Sequence, residues 1–247
     1  MYPSQWHREF GDRTLASAHV ILPPLLDRFA VASMVEVGCG HAHWSAAARD
    51  HGVAKLHCID GAWNDRSQLL VDPALFAEHD LARPVALPQR YDLAVCLEVA
   101  EHVAEHGAAT LVASLVEAAP VVLFGAAIPM QGGHGHINEQ WPSYWRDLFA
   151  DHGYRPHDLV RPRHWHDREI HYWYRQNCFV YVDESDAAAC RNAASADPCP
   201  SIALMDAVHP EKFEEVASYE AIAGKRLLQR LPGWALTRLR SKLTGMG

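Results

Sequence analysis

The sequence contains nothing near the roughly 20 uninterrupted apolar residues that a membrane-spanning helix requires, and its opening stretch, Met1 to Phe10, is too polar for a signal peptide. Both absences predict a cytoplasmic protein with no transmembrane segment. The six cysteines (Cys39, Cys58, Cys96, Cys178, Cys190 and Cys199) have no paired spacing, which argues against a zinc ribbon or a disulfide framework. They read as reduced, mostly buried thiols. Positive charge is in deficit, with Lys+Arg 22 against Asp+Glu 30 and a formal net charge of -8. A long nucleic acid is therefore not an expected partner, because such binding depends on a basic face that neutralises phosphates. No internal repeat is present. What remains, at 247 residues and 49% hydrophobic, is enough for one main domain around a buried sheet. Histidine is plentiful at 17 residues. It clusters around Gly132 to His136 and Arg163 to His171, and imidazole serves both as a neutral-pH base and as a metal ligand.

Strand-length apolar runs alternate with helical segments along the chain. Strands are expected at Ser33 to Val37, Ala54 to Ile59, Tyr91 to Leu97, Val121 to Ile128, near Pro156 to Val160, and at Asn177 to Val182. Helices are expected at Trp44 to Asp50, Val103 to Ala118 and Trp141 to His152, with one or two short helices before the first strand, broken at Pro23-Pro24. Arg161 to Tyr174 reads as a His/Trp/Tyr-rich loop. This order predicts an α/β fold: a doubly wound, mostly parallel, seven-stranded sheet, with ligands at the carboxyl ends of its strands. Residues 1–183 form the expected domain, with 1–32 as an N-terminal helical lid. The Ala, Asp, Ser and Pro of 184–200 suggest a linker, and 201–247 a short helical appendage. Within the appendage Leu227, Leu231, Trp234 and Leu239 alternate with Arg226, Arg230, Arg238 and Lys242. Such a segment can pack on the protein or a homodimer partner, or lie on an anionic membrane, and packing is the expectation.

The turn after the first strand reads Glu36-Val37-Gly38-Cys39-Gly40. Glycines there let a ligand approach the backbone, and the next helix offers unpaired N–H groups to a negative group. A dinucleotide fingerprint would want a third glycine at position 43, where His43 stands. The residues instead resemble the first motif of the class I S-adenosylmethionine-dependent methyltransferases: an acid, any residue, then Gly-x-Gly. The family's frequent further glycine is here Ala42. The resemblance extends to Asp60 at the end of the second strand and to Asp80-Leu81, and it covers Val31 to Val182. It implies S-adenosylmethionine as cofactor, with Glu36 near its ammonium end, Gly38 and Gly40 against its backbone, Asp60 on the ribose hydroxyls, Asp80 and Leu81 at the adenine, and Glu98 beside it.

On the acceptor side the chain reads Glu98-Val99-Ala100-Glu101-His102. If helix begins near Glu98, then Glu98, Glu101 and His102 share one face. Two carboxylates and an imidazole can bind a divalent ion, or merely pack beside the cofactor. A second cluster, Gln131-Gly132-Gly133-His134-Gly135-His136-Ile137-Asn138-Glu139, follows the strand Val121 to Ile128, and its glycines suggest an adaptable loop. Together the two clusters resemble the small-RNA 3′-terminal 2′-O-methyltransferases and the ubiquinone-pathway O-methyltransferases. That resemblance implies a divalent metal ion held by Glu98, Glu101, His102 and His136, with His134 left as base. Without a metal, His134 or His136 is the candidate catalytic base, since methyl transfer needs an aligned acceptor and removal of its proton. Trp141, Tyr144, Trp145, Trp165, Tyr172, Trp173 and Tyr174 could stack on a sugar or ring, or serve as packing.

His136 through Trp145 and Tyr172 to Val180 also resemble stand-alone methyltransferases of bacterial glycan gene sets, which implies a sugar, nucleotide-sugar or glycan hydroxyl as the small-molecule acceptor. O- or N-methylation of another, aromatic metabolite is the alternative enzyme reading. A non-catalytic binding module is the third. The joint presence of Glu36, Gly38, Gly40, Asp60 and Asp80 argues against it, because a chain freed from cofactor binding has no physical need for all five.

Overall fold

The computed structural model describes residues 4–194 and 204–218. Residues up to Ala207 belong to one compact unit, and Val208 onward to a second. The first unit is built on a seven-stranded sheet of β1 (Ser33–Val37), β2 (Lys55–Asp60), β3 (Phe76–Glu78), β4 (Leu93–Leu97), β5 (Val121–Gly125), β6 (Tyr154–His157) and β7 (Phe179–Asp183). Their order across the sheet is β3-β2-β1-β4-β5-β7-β6. β1 to β5 are mutually parallel where they pair, and β7 runs antiparallel to both β5 and β6. This is the doubly wound, mostly parallel α/β sheet expected from the sequence.

Burial explains the strands. β1, β4 and β5 are buried at every position, as befits parallel strands covered on both faces. Their side chains still alternate: Met34, Leu93, Val95, Val121 and Leu123 enter one core, and Val35, Ala94, Cys96, Val122 and Phe124 the other. The first core is covered by α1 (Ser4–Phe29), α2 (His43–Asp50) and α7 (Ala187–Ala194), and the second by α3 (Glu105–Ala118) and α4 (Pro142–Ala150). Two short helices, α5 (Arg161–His164) and α6 (Tyr172–Asn177), precede β7.

Several expectations change. α1 is one long helix of 26 residues that runs through Pro23 and Pro24 instead of breaking there. The prolines remove two backbone donors, but Ala18, Ile21, Leu22, Leu25 and Leu26 on either side of them are all buried in the core, and that packing carries the helix through. The stretch 184–200 contains α7, whose Ala189 and Ala193 are buried in the same core, so its alanines serve as a helix face as well as a connection. Arg161 to Tyr174 is helical at both ends. In the second unit α8 (Pro210–Ala217) begins with proline at its first turn and the His209 ring accepting from Glu211 N–H. The basic amphipathic segment from Lys225 to Leu243 lies outside the described residues. No helix among the described residues is long and apolar enough to cross a membrane.

Register positions the site. β1 and β2 pair so that Val37 faces Ile59, which sets the glycine turn beside Asp60. β1 and β4 are neighbours whose connections leave to opposite sides of the sheet, and a crevice therefore opens at their carboxyl ends.

Candidate functional site

A cavity of about 760 Å³ opens there, lined by Glu36, Gly38, Gly40, Asp60, Asp80, Leu81 and Glu98, the seven residues that the sequence singled out for the cofactor. Thr14 from α1, His43 and Trp44 from α2, and Tyr174 from α6 line it as well.

The glycine turn is shaped by close approach. Gly38 has φ +78, and a Cβ there would lie 2.4 Å from Val99 Cγ2, so this turn and the tip of β4 meet only because position 38 has no side chain. Gly38 N and Cys39 N both donate to Ile59 O, at 2.8 and 3.1 Å. Ala42, where the related motif favours glycine, has φ 62 and stands as N-cap of α2. Glu36 Oε2 accepts from the backbone N and the hydroxyl of Ser45, at 2.7 and 2.6 Å. Burial nevertheless pushes its pKa up to about 7. Asp60 is also buried: Oδ2 accepts from Gly40 N and Oδ1 from Gly61 N, both at 2.7 Å, while burial holds its pKa at about 6. A carboxylate oxygen has a second lone pair, so both oxygens can still accept from a ligand hydroxyl. Asp80 is exposed on the rim, 3.4 Å from Arg83 Nε.

Helix does not begin at Glu98. Its N–H extends the ladder to Gly125 O at 2.8 Å, its φ is 54, a short 3-10 turn follows at Ala100–His102, and α3 starts only at Glu105. The left-handed residue breaks the helical face that sequence spacing had suggested. Glu98 is held instead by two amides: Oε1 accepts from Asn177 Nδ2 at 2.9 Å and Oε2 from Gln131 Nε2 at 2.7 Å. Burial pushes its pKa up to about 7. Of the four residues expected to hold a metal, the structure brings Glu101, His102 and His136 together and leaves Glu98 outside that group.

Glu101, His102 and His136 do converge, each offering a ligand atom within 4.8 Å of the others. The rings of His102 and His136 are perpendicular at 5.0 Å between centroids. Glu101 is fully buried, and neither carboxylate oxygen meets a well-placed donor among the described residues. Burial first, and then the Glu98 carboxylate, drive its pKa well above the carboxylate range, against the lowering influence of the N–H groups of Glu101 and Ala127. His102 is pushed down to about 4 by burial, so its ring is neutral. A buried carboxyl lacking good donors beside two imidazoles is a donor set that suits a divalent ion.

The loop carrying His134 and His136 is tied down rather than adaptable. Ile137 N and Asn138 N donate to Glu101 O, Gly135 O faces His102 Nδ1 at 3.2 Å, and the Gln131 side chain reaches Glu98. The two histidines part company: His134 is exposed and lines the cavity, whereas the His136 side chain is 7% exposed and lies in the cluster. Gly133 makes room for it, since a Cβ there would fall 2.1 Å from His136 Nε2.

The aromatic residues are mostly core. Trp145 and Tyr174 are buried, Trp173 packs against the core and stacks on His171 at 3.9 Å, and only Trp141 of the group is exposed. Sequence reasoning missed Asn177, and it quoted Gln131 and Glu139 without giving them a role. No local pattern marks an amide that folds back onto a carboxylate from another strand.

Sheet order, glycine turn and cavity define a class I α/β methyltransferase fold. Residues 7–117 match the family model described as a methyltransferase domain. That match spans less than half of the chain and, together with the fold, supports an enzyme of the S-adenosylmethionine-dependent methyltransferase kind. Among solved structures, the sugar N-methyltransferase KedS8 from Streptoalloteichus sp ATCC 53650 is similar at TM-score 0.56 and 14% identity, covering 74% of this chain and 92% of its own. DesVI of Streptomyces venezuelae is similar at TM-score 0.54 and 12% identity, covering 72% and 95%. At such identities the likeness concerns the fold. No curated protein sequence matches significantly.

Proposed function

We propose that the enzyme methylates a hydroxyl of a sugar, nucleotide sugar or glycan end, with the cofactor in the crevice between β1 and β4. The observation that carries the cofactor placement is the meeting of all seven expected residues in one cavity. Asp60 would accept the ribose hydroxyls while its N–H bonds hold the glycine turn shut around the cofactor. Asp80 and Leu81 would flank the adenine, and Gly38 and Gly40 would let the methionine end lie on the backbone. Glu36 and Ser45 brace the turn from below. S-adenosylmethionine, when bound, supplies a methyl group on a sulfonium, transferred by in-line displacement.

The chain's own task is then to align the acceptor oxygen and take its proton. His134, exposed on the cavity wall, is the candidate base. Glu101, His102 and His136 would hold a divalent ion, which would lower the pKa of an acceptor hydroxyl and orient it. The buried Glu101 carboxyl supports this reading. The sugar assignment rests on the resemblance of the loop from His136 to Trp145 to glycan-cluster methyltransferases. Methylation of a small aromatic metabolite is the second reading, favoured by exposed Trp141 at the loop's end and by Tyr174 in the cavity wall.

The test is a turnover assay with labelled cofactor against sugars, amino sugars, nucleotide sugars and catechol-like diols, with and without a chelator. Transfer to a sugar hydroxyl that falls on chelation supports the proposal. Transfer only to aromatic acceptors overturns the sugar assignment, and full activity after exhaustive chelation overturns the metal.

A further inference from the structure

One carboxylate organises the loop between β5 and α4. Glu139 Oε2 accepts from Met130 N at 2.8 Å, and Oε1 accepts from Gly132 N at 2.6 Å and meets His136 Nδ1 at 2.9 Å. Met130 and Gly132 both have left-handed backbones, φ 68 and φ 70. Positive φ in a short segment turns nearby N–H groups to one side and forms a concavity that binds anions, and here the anion is the loop's own Glu139. Met130 has a side chain, so its left-handed conformation is strained. That side chain is 76% exposed, so packing does not hold the residue in place. The bond to Glu139 does.

The same carboxylate decides the state of His136. Glu139 Oε1 already accepts from Gly132 N, so its hydrogen bond to the ring places the proton on Nδ1, and the Nδ1–H tautomer has its lone pair on Nε2. Nε2 is the nitrogen turned toward Glu101, at 3.9 Å. His102 is governed alike: its Nδ1 faces the carbonyl of Gly135, which also only accepts, and Gly135 lies within the segment that Glu139 closes. The loop thus orders two imidazoles with their lone pairs on the same kind of nitrogen.

We propose that Glu139 is a positioning residue, which closes the loop on itself and holds His136 as the Nδ1–H tautomer so that Nε2 is presented to Glu101 and His102. The inference deepens the proposed function and rests on its reading of His136 as ligand. Glu139 is not among the residues that line the cavity. It acts through His136 and through the backbone.

The test is made on the full chain with ¹⁵N-labelled histidine, where long-range ¹H–¹⁵N spectra report which ring nitrogen carries the proton. His136 is expected as Nδ1–H in the parent protein. In Glu139→Ala it is expected to shift largely to Nε2–H, with affinity for cobalt(II) falling tenfold or more, in line with outer-shell partners of ligating histidines. Glu139→Gln keeps an acceptor oxygen, so it should preserve the tautomer while losing the bond from Met130 N. A purely structural role would lower melting temperature in Glu139→Ala and leave the tautomer unchanged, which overturns the proposal. Nε2–H in the parent overturns it too, whether or not Glu139→Ala folds. A parent that binds no cobalt defeats the metal reading alone, because the tautomer is read without metal.

Discussion

Asp60→Ala separates cofactor binding from folding. The carboxylate now holds two backbone N–H groups at 2.7 Å, and its pKa stands at about 6, above the ordinary 3.8, because burial outweighs those bonds. Between these values the folded protein binds more protons than the unfolded chain, so the ligand-free protein gains stability as pH falls from about 6 toward 4. At neutral pH the charged group is held at a cost on the order of 3 kcal/mol. Alanine removes that cost but leaves Gly40 and Gly61 without their acceptor, at about 1–3 kcal/mol each before water re-enters the cavity. The two effects nearly cancel, and the melting temperature should move by only a few degrees.

Cofactor affinity has no such compensation. A ribose hydroxyl bonded to an ionised carboxylate is worth about 1.5–3 kcal/mol, so Kd should rise roughly 10- to 150-fold. Binding favours the ionised carboxylate, and the parent's affinity should therefore weaken as pH drops below about 6, a dependence that Asp60→Ala loses. Isothermal titration calorimetry from pH 5 to 8 measures both. Unchanged Kd in the variant, or the same loss of affinity below pH 6, would refute the reasoning.

Other outcomes follow from single positions. Ala42→Gly should stabilise the protein by up to about 1 kcal/mol in denaturant unfolding, since φ 62 strains alanine and suits glycine, less glycine's greater unfolded entropy. Gly133→Ala should displace the His136 ring, because a Cβ would sit 2.1 Å from Nε2; cobalt(II) affinity should drop with little change in cofactor Kd. Trp145→Ala should cost about 3–5 kcal/mol of stability, as a buried core tryptophan does. A milder loss in chemical denaturation, with impaired acceptor binding, would return Trp145 to the site.

The sheet was legible because parallel strands leave uninterrupted apolar runs and the turn residues of the cofactor motif are contiguous. β3 was not delineated, since Phe76–Glu78 is too short for a pattern. The break between Glu98 and Glu101 was invisible for a different reason: spacing assigns both to one helix face, and only the pull of Gly125, Asn177 and Gln131 from other elements sets Glu98 in a left-handed conformation. Pro23 and Pro24 misled for the converse reason, because burial of the surrounding apolar residues overrode a local helix-breaking signal. Loop glycines suggested adaptability, yet Glu139 uses the conformation they permit to close the loop.

The central claim is that S-adenosylmethionine binds in the crevice where β1 meets β4. A co-crystal structure with S-adenosylhomocysteine tests it most directly. Ribose hydroxyls are expected on Asp60, adenine between Leu81 and the Asp80 rim, and the amino-acid end over Gly38 to Gly40. Density for the nucleoside elsewhere, or an empty crevice at saturating ligand, would contradict it.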